Sequence, residues 1–554
     1  MVFDNVETLE SLAPCWPRCN HGAILLTSQH AGLGSQMTSS ICLLPFSPEE
    51  GADFLLGHFQ SSDLTDQRES AVSLCNDVLG GLPLAIAHVA GYMTMFNEPM
   101  LPSEALDKLF KELQDSNDVF NTNPDTTFAY NKENKALNFV WDMALDELDP
   151  DSLKLIRVLS MLNASGVPEE MLRIATGSTP DECLQFLAKP RELQFQSMLQ
   201  NLSRRQLITL SKPSGKTLLV THRSLQRSIL HKLDSSEPDE DEDSLQSVFD
   251  AALALLARQV LPGQSPIQFA KRGLWGRMEL YSPHVMNLRK VYAESRHSLL
   301  PPSIGFAQLL CAVASYFWER NLLTQALLAC ETAEQICAAF EGQLEHLKVR
   351  ADVYTICGAI MCQEGLPMRR DSLFRLRKAL CLRQEYTNSL NPDDATEDDL
   401  YNLANAWSNV GALLVDHDMF EPAIPYLDFA MEIRRGLNPA SARQMNGESE
   451  SLKSLCLAGL GKYDEAMGLI VPESEMQTWP KSFLDDVYLH TLIFKLRWSS
   501  IYLRVGRTEE AYALAHRVWD ERCLVFQRSN RASLDTAFLL AMIEQKRGNH
   551  DAAK

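Results

Sequence analysis

Small residues return at fixed intervals through the second half of this 554-residue chain. Ala314 and Ala326 stand twelve apart, and Ala333 follows seven later. Gly411, Ala423 and Ala430 repeat both intervals, and Ser499, Ala511 and Val518 do so with a valine in the third place. Ala541 and Ala553 show the twelve once more. Small side chains at this spacing let two antiparallel helices approach closely, and Phe317, Trp407 and Tyr502 are placed to pack beside them. The turns agree: "GKYDEA" (Gly461–Ala466), "GRTEEA" (Gly506–Ala511) and "GNHDAA" (Gly548–Ala553). A helix pair cannot bury its apolar face alone, so such a period predicts an α-solenoid of stacked pairs over residues 245–554.

The pattern resembles the tetratricopeptide repeat. It gives about six units, of which the second, around Gly358, is degenerate. Ala423, Ala466, Ala511 and Ala553 are 43, 45 and 42 residues apart. The usual period is about 34, so helices or loops longer than usual are expected. The last unit reaches Lys554 where its second helix should begin, so the chain reads as cut at its C-terminus.

Charge narrows the function. With 51 basic and 72 acidic residues the net charge is −21. General nucleic-acid binding needs basic surface to displace counterions, and acidic membranes repel such a chain. The longest apolar run, "GLPLAIAHVAGYMTMF", is broken by His88 and is too short to span a bilayer. No basic stretch followed by an apolar run marks a signal peptide. The 13 cysteines are odd in number and scattered, and "CWPRCNH" has no second ligand pair at zinc-site spacing. A cytoplasmic protein with free thiols is the expectation.

Three further regions precede the repeats. Residues 1–130 alternate strands and helices, as in a parallel α/β sheet: Val2–Phe3, "GAILLTS" (Gly22–Ser28) and "ICLL" (Ile41–Leu44) read as strands. Ser47, Pro48 and Glu50 form a capping box that opens a helix, a second box (Asp66 to Glu69) opens another, and Pro83 starts a third. Residues 135–233 combine helices with a β-hairpin, "LITL" and "KTLLVTH" around "SKPSG", and suggest a winged helix. The acidic run at residues 234–244 reads as a solvated linker.

The stretch "CNDVLGGLPLAIAHVAGYM", with "VFDNV" and "GAILLTS" before it, resembles the NB-ARC nucleotide-binding module of STAND-class signalling ATPases. The order of a nucleotide domain, a winged helix and tetratricopeptide repeats is similar to that of NB-ARC proteins common in fungi. The resemblance implies a switch that ADP holds closed and ATP opens. Asp4 then matches the aspartate that holds Mg²⁺ through water, Pro83 the proline packed near adenine, and His222 in "VTHRSLQ" the histidine that touches the β-phosphate of ADP. Asn5, Gln29, Thr221 and Arg223 depart from the pattern: Asn5 cannot act as a second acid, and Gln29 carries no charge for a γ-phosphate.

A phosphate loop requires G-x-x-x-x-G-K-[ST] between a strand and a helix. "SGKT" (Ser214–Thr217) has Leu210 in place of the first glycine and runs into a strand, so it reads as the turn of the wing. The expectation is an incomplete switch, without the first half of its nucleotide domain and unable to hydrolyse ATP by itself. No Ser–His–Asp or Cys–His signature supports a hydrolase. The repeats are expected to bind a protein or peptide partner, with self-association possible in this family. The rival readings are a plain interaction scaffold and an ATPase completed by an upstream phosphate loop.

Overall fold

The computed structural model describes residues 1–4, 6, 12, 15–17, 21–28, 33, 38–41, 43–58, 68–79, 81–93, 141–142, 144–174, 182–188, 192–212, 215–235, 244–261, 275–295, 300–363, 369–391, 394–437, 442–470, 488–526, 528 and 530–551. They form two compact units, Met1–Leu148 with Asn201–Leu207, and Asp149–Gln200 with Ile208–Lys554. The fold is mainly α.

In the first unit, strands β1 (Val2–Phe3) and β2 (Leu25–Leu26) pair in parallel, with Val2 opposite Leu25 and Phe3 opposite Leu26. The pairing continues beyond them, with Thr27 N–H donating to Phe3 O and Val6 N–H to Thr27 O. The expected third strand is not one: Ile41, Leu43 and Leu44 are 86%, 92% and 78% exposed and join no ladder. An apolar run becomes a strand only where a neighbour accepts its backbone bonds. Just beyond the run, Phe46 N–H donates to Gly81 O at 2.8 Å.

Helix α1 (Pro48–Leu56) opens on the expected capping box: Ser47 Oγ accepts from Glu50 N–H, and Glu50 Oε2 accepts from Ser47 N–H at 2.9 Å. These bonds hold the Glu50 carboxyl below its ordinary pKa. Helix α2 (Arg68–Ser73) runs into a π turn, Leu74–Val78, and α3 (Pro83–Met93) follows. The glycine before Leu82–Pro83 is needed for itself. Gly81 sits at φ +68°, and a Cβ there would lie 2.4 Å from Phe46 O.

The second unit begins with a winged helix. Helix α4 (Pro150–Met161) is capped by Asp149, whose carboxylate accepts from Ser152 N–H at 2.9 Å. After β3 (Val167–Pro168) and α5 (Glu192–Arg204), the hairpin β4 (Thr209–Ser211) and β5 (Leu218–Val220) forms a small antiparallel sheet in the order β3-β5-β4. Gly215, in "SGKT", turns the hairpin at φ +81°, so that segment is the wing. Helix α6 (Arg223–Ser235) completes the domain.

Helix pairs follow: α7 (Leu245–Val260) with α8 (Trp275–Glu294), α9 (Ile304–Glu319) with α10 (Leu323–Ala338), and α11 (Leu347–Gln363) with α12 (Arg369–Ser389). Then come α13 (Glu397–Asp416) with α14 (Phe420–Leu437), α15 (Ala442–Gly459) with α16 (Tyr463–Gly468), α17 (Tyr488–Val505) with α18 (Thr508–Phe526), and finally α19 (Arg531–Lys546). The twelve-residue interval marks where paired helices touch. Ser499 Oγ donates to Ala511 O at 2.7 Å, and Ser454 Oγ to Ala466 O at the same distance. In the irregular unit the bond reverses, Ser372 Oγ donating to Gly358 O at 2.7 Å. Around these crossings Val410, Leu413, Ala423, Leu427 and Cys456 form one continuous core.

The turns share one geometry despite different residues. Asn321, Asp418, Gly461, Gly506 and Gly548 all take positive φ, between 56° and 87°. In each case the next N–H reaches back five residues: Leu322 to Phe317 O, Met419 to Leu414 O, Lys462 to Leu457 O, Arg507 to Tyr502 O and Asn549 to Glu544 O, at 2.8 to 2.9 Å. This is the Schellman closure of a helix, and Asn and Asp are the side chains that best tolerate its left-handed residue. Nothing lies within 4 Å of a Cβ built on Gly506. Gly506→Ala is therefore expected to lower stability by about 1–2 kcal/mol through backbone strain alone, and Gly506→Asn by clearly less. Denaturant midpoints of the two variants check this.

Candidate functional site

Asp4 directly follows β1 and is exposed, with one carboxylate oxygen, Oδ1, accepting from the Thr27 hydroxyl at 2.5 Å. That bond ties the acidic end of one parallel strand to the end of its neighbour. Pro83 occupies the first position of α3. The helix it starts buries His88 edge-on against Trp141, with ring centroids 5.8 Å apart and Nδ1 3.4 Å from Arg205 O. Asp4 and Pro83 belong to the first unit and His222 to the second. Asn5 and Gln29 lie outside the described residues.

His222 has a local function in the fold. It precedes α6, its Nδ1 accepts from Ser224 N–H at 3.2 Å, and its carbonyl accepts from Gln226 N–H. It thus caps the helix in the manner of Asn or Ser. Desolvation by the surrounding chain, and then the charge of Arg223, hold its pKa below the usual histidine value. Among the described residues no cluster of His, Cys, Asp and Glu could hold a metal ion, and no helix is long and apolar enough to cross a membrane.

A cluster of polar bonds lies at the C-terminal end of α4. A helix leaves its last carbonyls without intrahelical partners, and here they are buried. Gln226 of α6 donates through Nε2 to Leu159 O and Leu162 O, at 2.9 and 3.0 Å. Asn287 of α8 donates through Nδ2 to Met161 O and Leu162 O, at 2.9 and 3.1 Å. The next amide, Asn163 N–H, donates to Nδ1 of His284, also on α8, at 3.1 Å. Winged helix and first helix pair are joined by these bonds into one body. Residues 236–243, most of the acidic run, lie outside the described residues.

No local pattern announces Gln226, Asn287 and His284. They become one site only once α4, α6 and α8 have packed. A second group was legible but missed. An arginine stands eleven residues after the small residue that opens the second helix of a pair: Arg383 after Ser372, Arg434 after Ala423, Arg522 after Ala511. All three are buried, and burial lowers the pKa of Arg383 and Arg522 to about 10. Arg383 pairs with Asp352. Arg434 donates to Asn405 Oδ1 and to Ser449 Oγ, each at 2.7 Å, bridging α13 and α15. Arg522 donates to Thr536 Oγ1 at 2.9 Å, tying α18 to α19.

Beside these stitches the first helices of the pairs keep a half-buried polar row. Asn402, Asn405 and Asn409 share one face of α13, while Glu448 stands on α15 and Arg497 on α17. Arg497 donates to Ser451 Oγ at 3.2 Å and faces Glu448 at 3.8 Å.

The model of a family described as a domain of unknown function, DUF7779, matches residues 143–238, a span that includes α4, α5 and α6. Comparison with curated proteins gave no match. Solved structures give distant likenesses. A STAND protein with a tetratricopeptide repeat sensor from Pyrococcus horikoshii is 13% identical, with TM-score 0.31, over 100% of this chain and 78% of that one. A Rap protein complexed with competence and sporulation factor is 16% identical, with TM-score 0.29, over 59% of this chain and 93% of that one. The apo form of RapI is 12% identical, with TM-score 0.32, over 59% and 88%. Likenesses at this level identify no function.

The His284 bond makes a pH prediction. Desolvation lowers its pKa to about 4, and Nδ1 can accept from Asn163 only while it carries no proton. The unfolded ring has a pKa of about 6.5, so the unfolded chain binds the extra proton more readily. The stabilisation is complete above about pH 6.5 and is lost as pH falls toward 4, by about 3 kcal/mol in all. Stability measured from pH 7 to 4 should fall more steeply for the natural chain than for His284→Gln, and the difference isolates this residue from the carboxylates.

Proposed function

We propose that this chain is a regulatory protein that binds a protein or peptide partner on its helical repeats and transmits occupancy to the winged helix. The observation that carries the reading is the polar junction at the end of α4, where Asn287 of α8 and Gln226 of α6 share Leu162 O and His284 of α8 accepts from the next amide, Asn163 N–H. A scaffold that only displays repeats has no need to fix them to a second domain. A sensor does, because coupling must pass through contiguous packed elements. The polar row on the first helices suits an extended peptide, whose backbone offers donors and acceptors that amides can meet.

The finer part of the proposal is that the switch is nucleotide-dependent, in the manner of STAND proteins. Asp4 would hold Mg²⁺ through water, Pro83 would lie by adenine, and His222 would meet the β-phosphate of ADP. The phosphate loop needed for tight binding and hydrolysis is not among the motifs of this sequence. Weak ADP contact and no ATP turnover are therefore expected of this chain alone. The alternative is an interaction scaffold in which His222 serves only as a helix cap, the role its bond to Ser224 already supports.

Two measurements test these levels separately. Peptides selected by display against the full chain should lose about tenfold in affinity when Asn402 and Asn409 become alanine, the effect of roughly 1.4 kcal/mol of lost hydrogen bonding. Failure to enrich any saturable peptide, or indifference to both substitutions, removes the repeat-binding reading. Saturation-transfer NMR with ADP should give a signal that disappears in His222→Asn, a variant that keeps a good helix cap. Silence in the natural chain leaves the scaffold reading in place of the nucleotide switch.

A further inference from the structure

In a solenoid each repeat touches only its neighbours. A contact in this array breaks that rule. Trp275, the first residue of α8, lies with its ring centroid 6.0 Å from that of Phe526, the last residue of α18, the planes inclined at 45°. The first helix pair thus meets the sixth across the whole run between them.

The tryptophan is held for this contact by its own side of the array. Its Nε1–H donates to Glu319 Oε2 at 2.7 Å, and the Arg320 guanidinium stands 5.1 Å from its ring centroid. Glu319 ends α9 and Arg320 caps it, so the ring is gripped from the turn of the second pair and offered to the sixth. Both aromatic side chains are only partly buried. Their contact is a single ring pair, whereas the continuous core around Val410 and Leu427 draws on α12 to α15.

We propose that Trp275 and Phe526 form a clasp that closes the repeat array on itself and gates a partner's access to the polar row on the first helices. The gating part rests on the repeat-binding reading; the closure does not. An aromatic pair of this kind adds a modest increment beyond its buried area. Such a clasp holds the closed form while leaving opening within reach of a binding partner, which needs only a differential affinity of that order. The hydrogen bond and the cation–π contact orient Trp275 in both forms, because they come from its own end of the array.

Small-angle X-ray scattering on the full chain without partner tests the closure. Phe526→Ala should raise the radius of gyration and the maximum dimension. Phe526→Trp should keep them at the values of the natural chain. Far-UV circular dichroism should be the same in all three, since residue 526 ends its helix and is half-exposed. Unchanged scattering in Phe526→Ala, with the fold intact, overturns the clasp. Stopped-flow binding of a display-selected peptide tests the gate: its association rate should rise in Phe526→Ala, by about tenfold for an equilibrium shift of 1.4 kcal/mol. An array that expands without a faster association keeps the closure and overturns the gating.

Discussion

The carbonyls at the end of α4 are the constraint on which the second unit depends. A buried helix terminus has to find donors, and each unmet carbonyl costs roughly 1–3 kcal/mol. The chain meets this need from two directions, with Gln226 from the winged helix itself and Asn287 from the first helix pair of the repeats. His284 adds the adjoining amide of Asn163, on condition that its ring stays neutral. Because Leu162 O accepts from both Gln226 and Asn287, neither partner can leave without exposing a polar group that the other cannot fully satisfy.

From that junction the array extends by repetition of two devices. One is the Schellman turn, built alike from Asn321, Asp418, Gly461, Gly506 and Gly548. The other is the close crossing of paired helices, where a serine hydroxyl such as that of Ser499 bonds the facing helix's carbonyl. Buried Arg434 and Arg522 then tie a pair to the helix that follows it, and Arg383 ties α12 to its own partner α11. Arg434 reaches both α13 and α15 and lies 5.6 Å from the Tyr401 ring centroid. Rigid pairs, stitched in series and anchored at one end to a second domain, form the kind of element through which a binding event can be felt at a distance.

How much of this the sequence disclosed depended on the range of the interaction involved. Local chemistry was legible: the Ser47–Glu50 box, Pro83 as a helix start, and "SGKT" as the turn of the wing all follow from neighbours in the chain. The small-residue interval located the helix pairs because one turn and two half-helices always take about the same length. The reading of "ICLL" as a strand did not hold, since an apolar run says nothing about whether a neighbouring strand is there to accept it. The eleven-residue offset to Arg383, Arg434 and Arg522 was present in the repeats but sat outside the small-residue positions. Gln226, Asn287 and His284 carried no signal, because three single polar residues on separate helices acquire meaning only in the packed state. Asp4, Pro83 and His222 rest on resemblance, and the roles their surroundings show are a strand-end hydrogen bond, a helix start and a helix cap.

The most direct measurement is native-state hydrogen exchange, read by mass spectrometry on the full chain, comparing the natural protein with Asn287→Leu. That substitution keeps the size of a side chain in the repeats and removes the two donated bonds to α4. Exchange should quicken by about tenfold or more in α4 and α6 as well as in α8, as expected for the loss of at least 1.4 kcal/mol from a shared unit. Quickening confined to α8, with α4 and α6 exchanging as before, would mean that the winged helix and the repeats are stable independently of each other, and the coupling on which the proposed function rests would be absent.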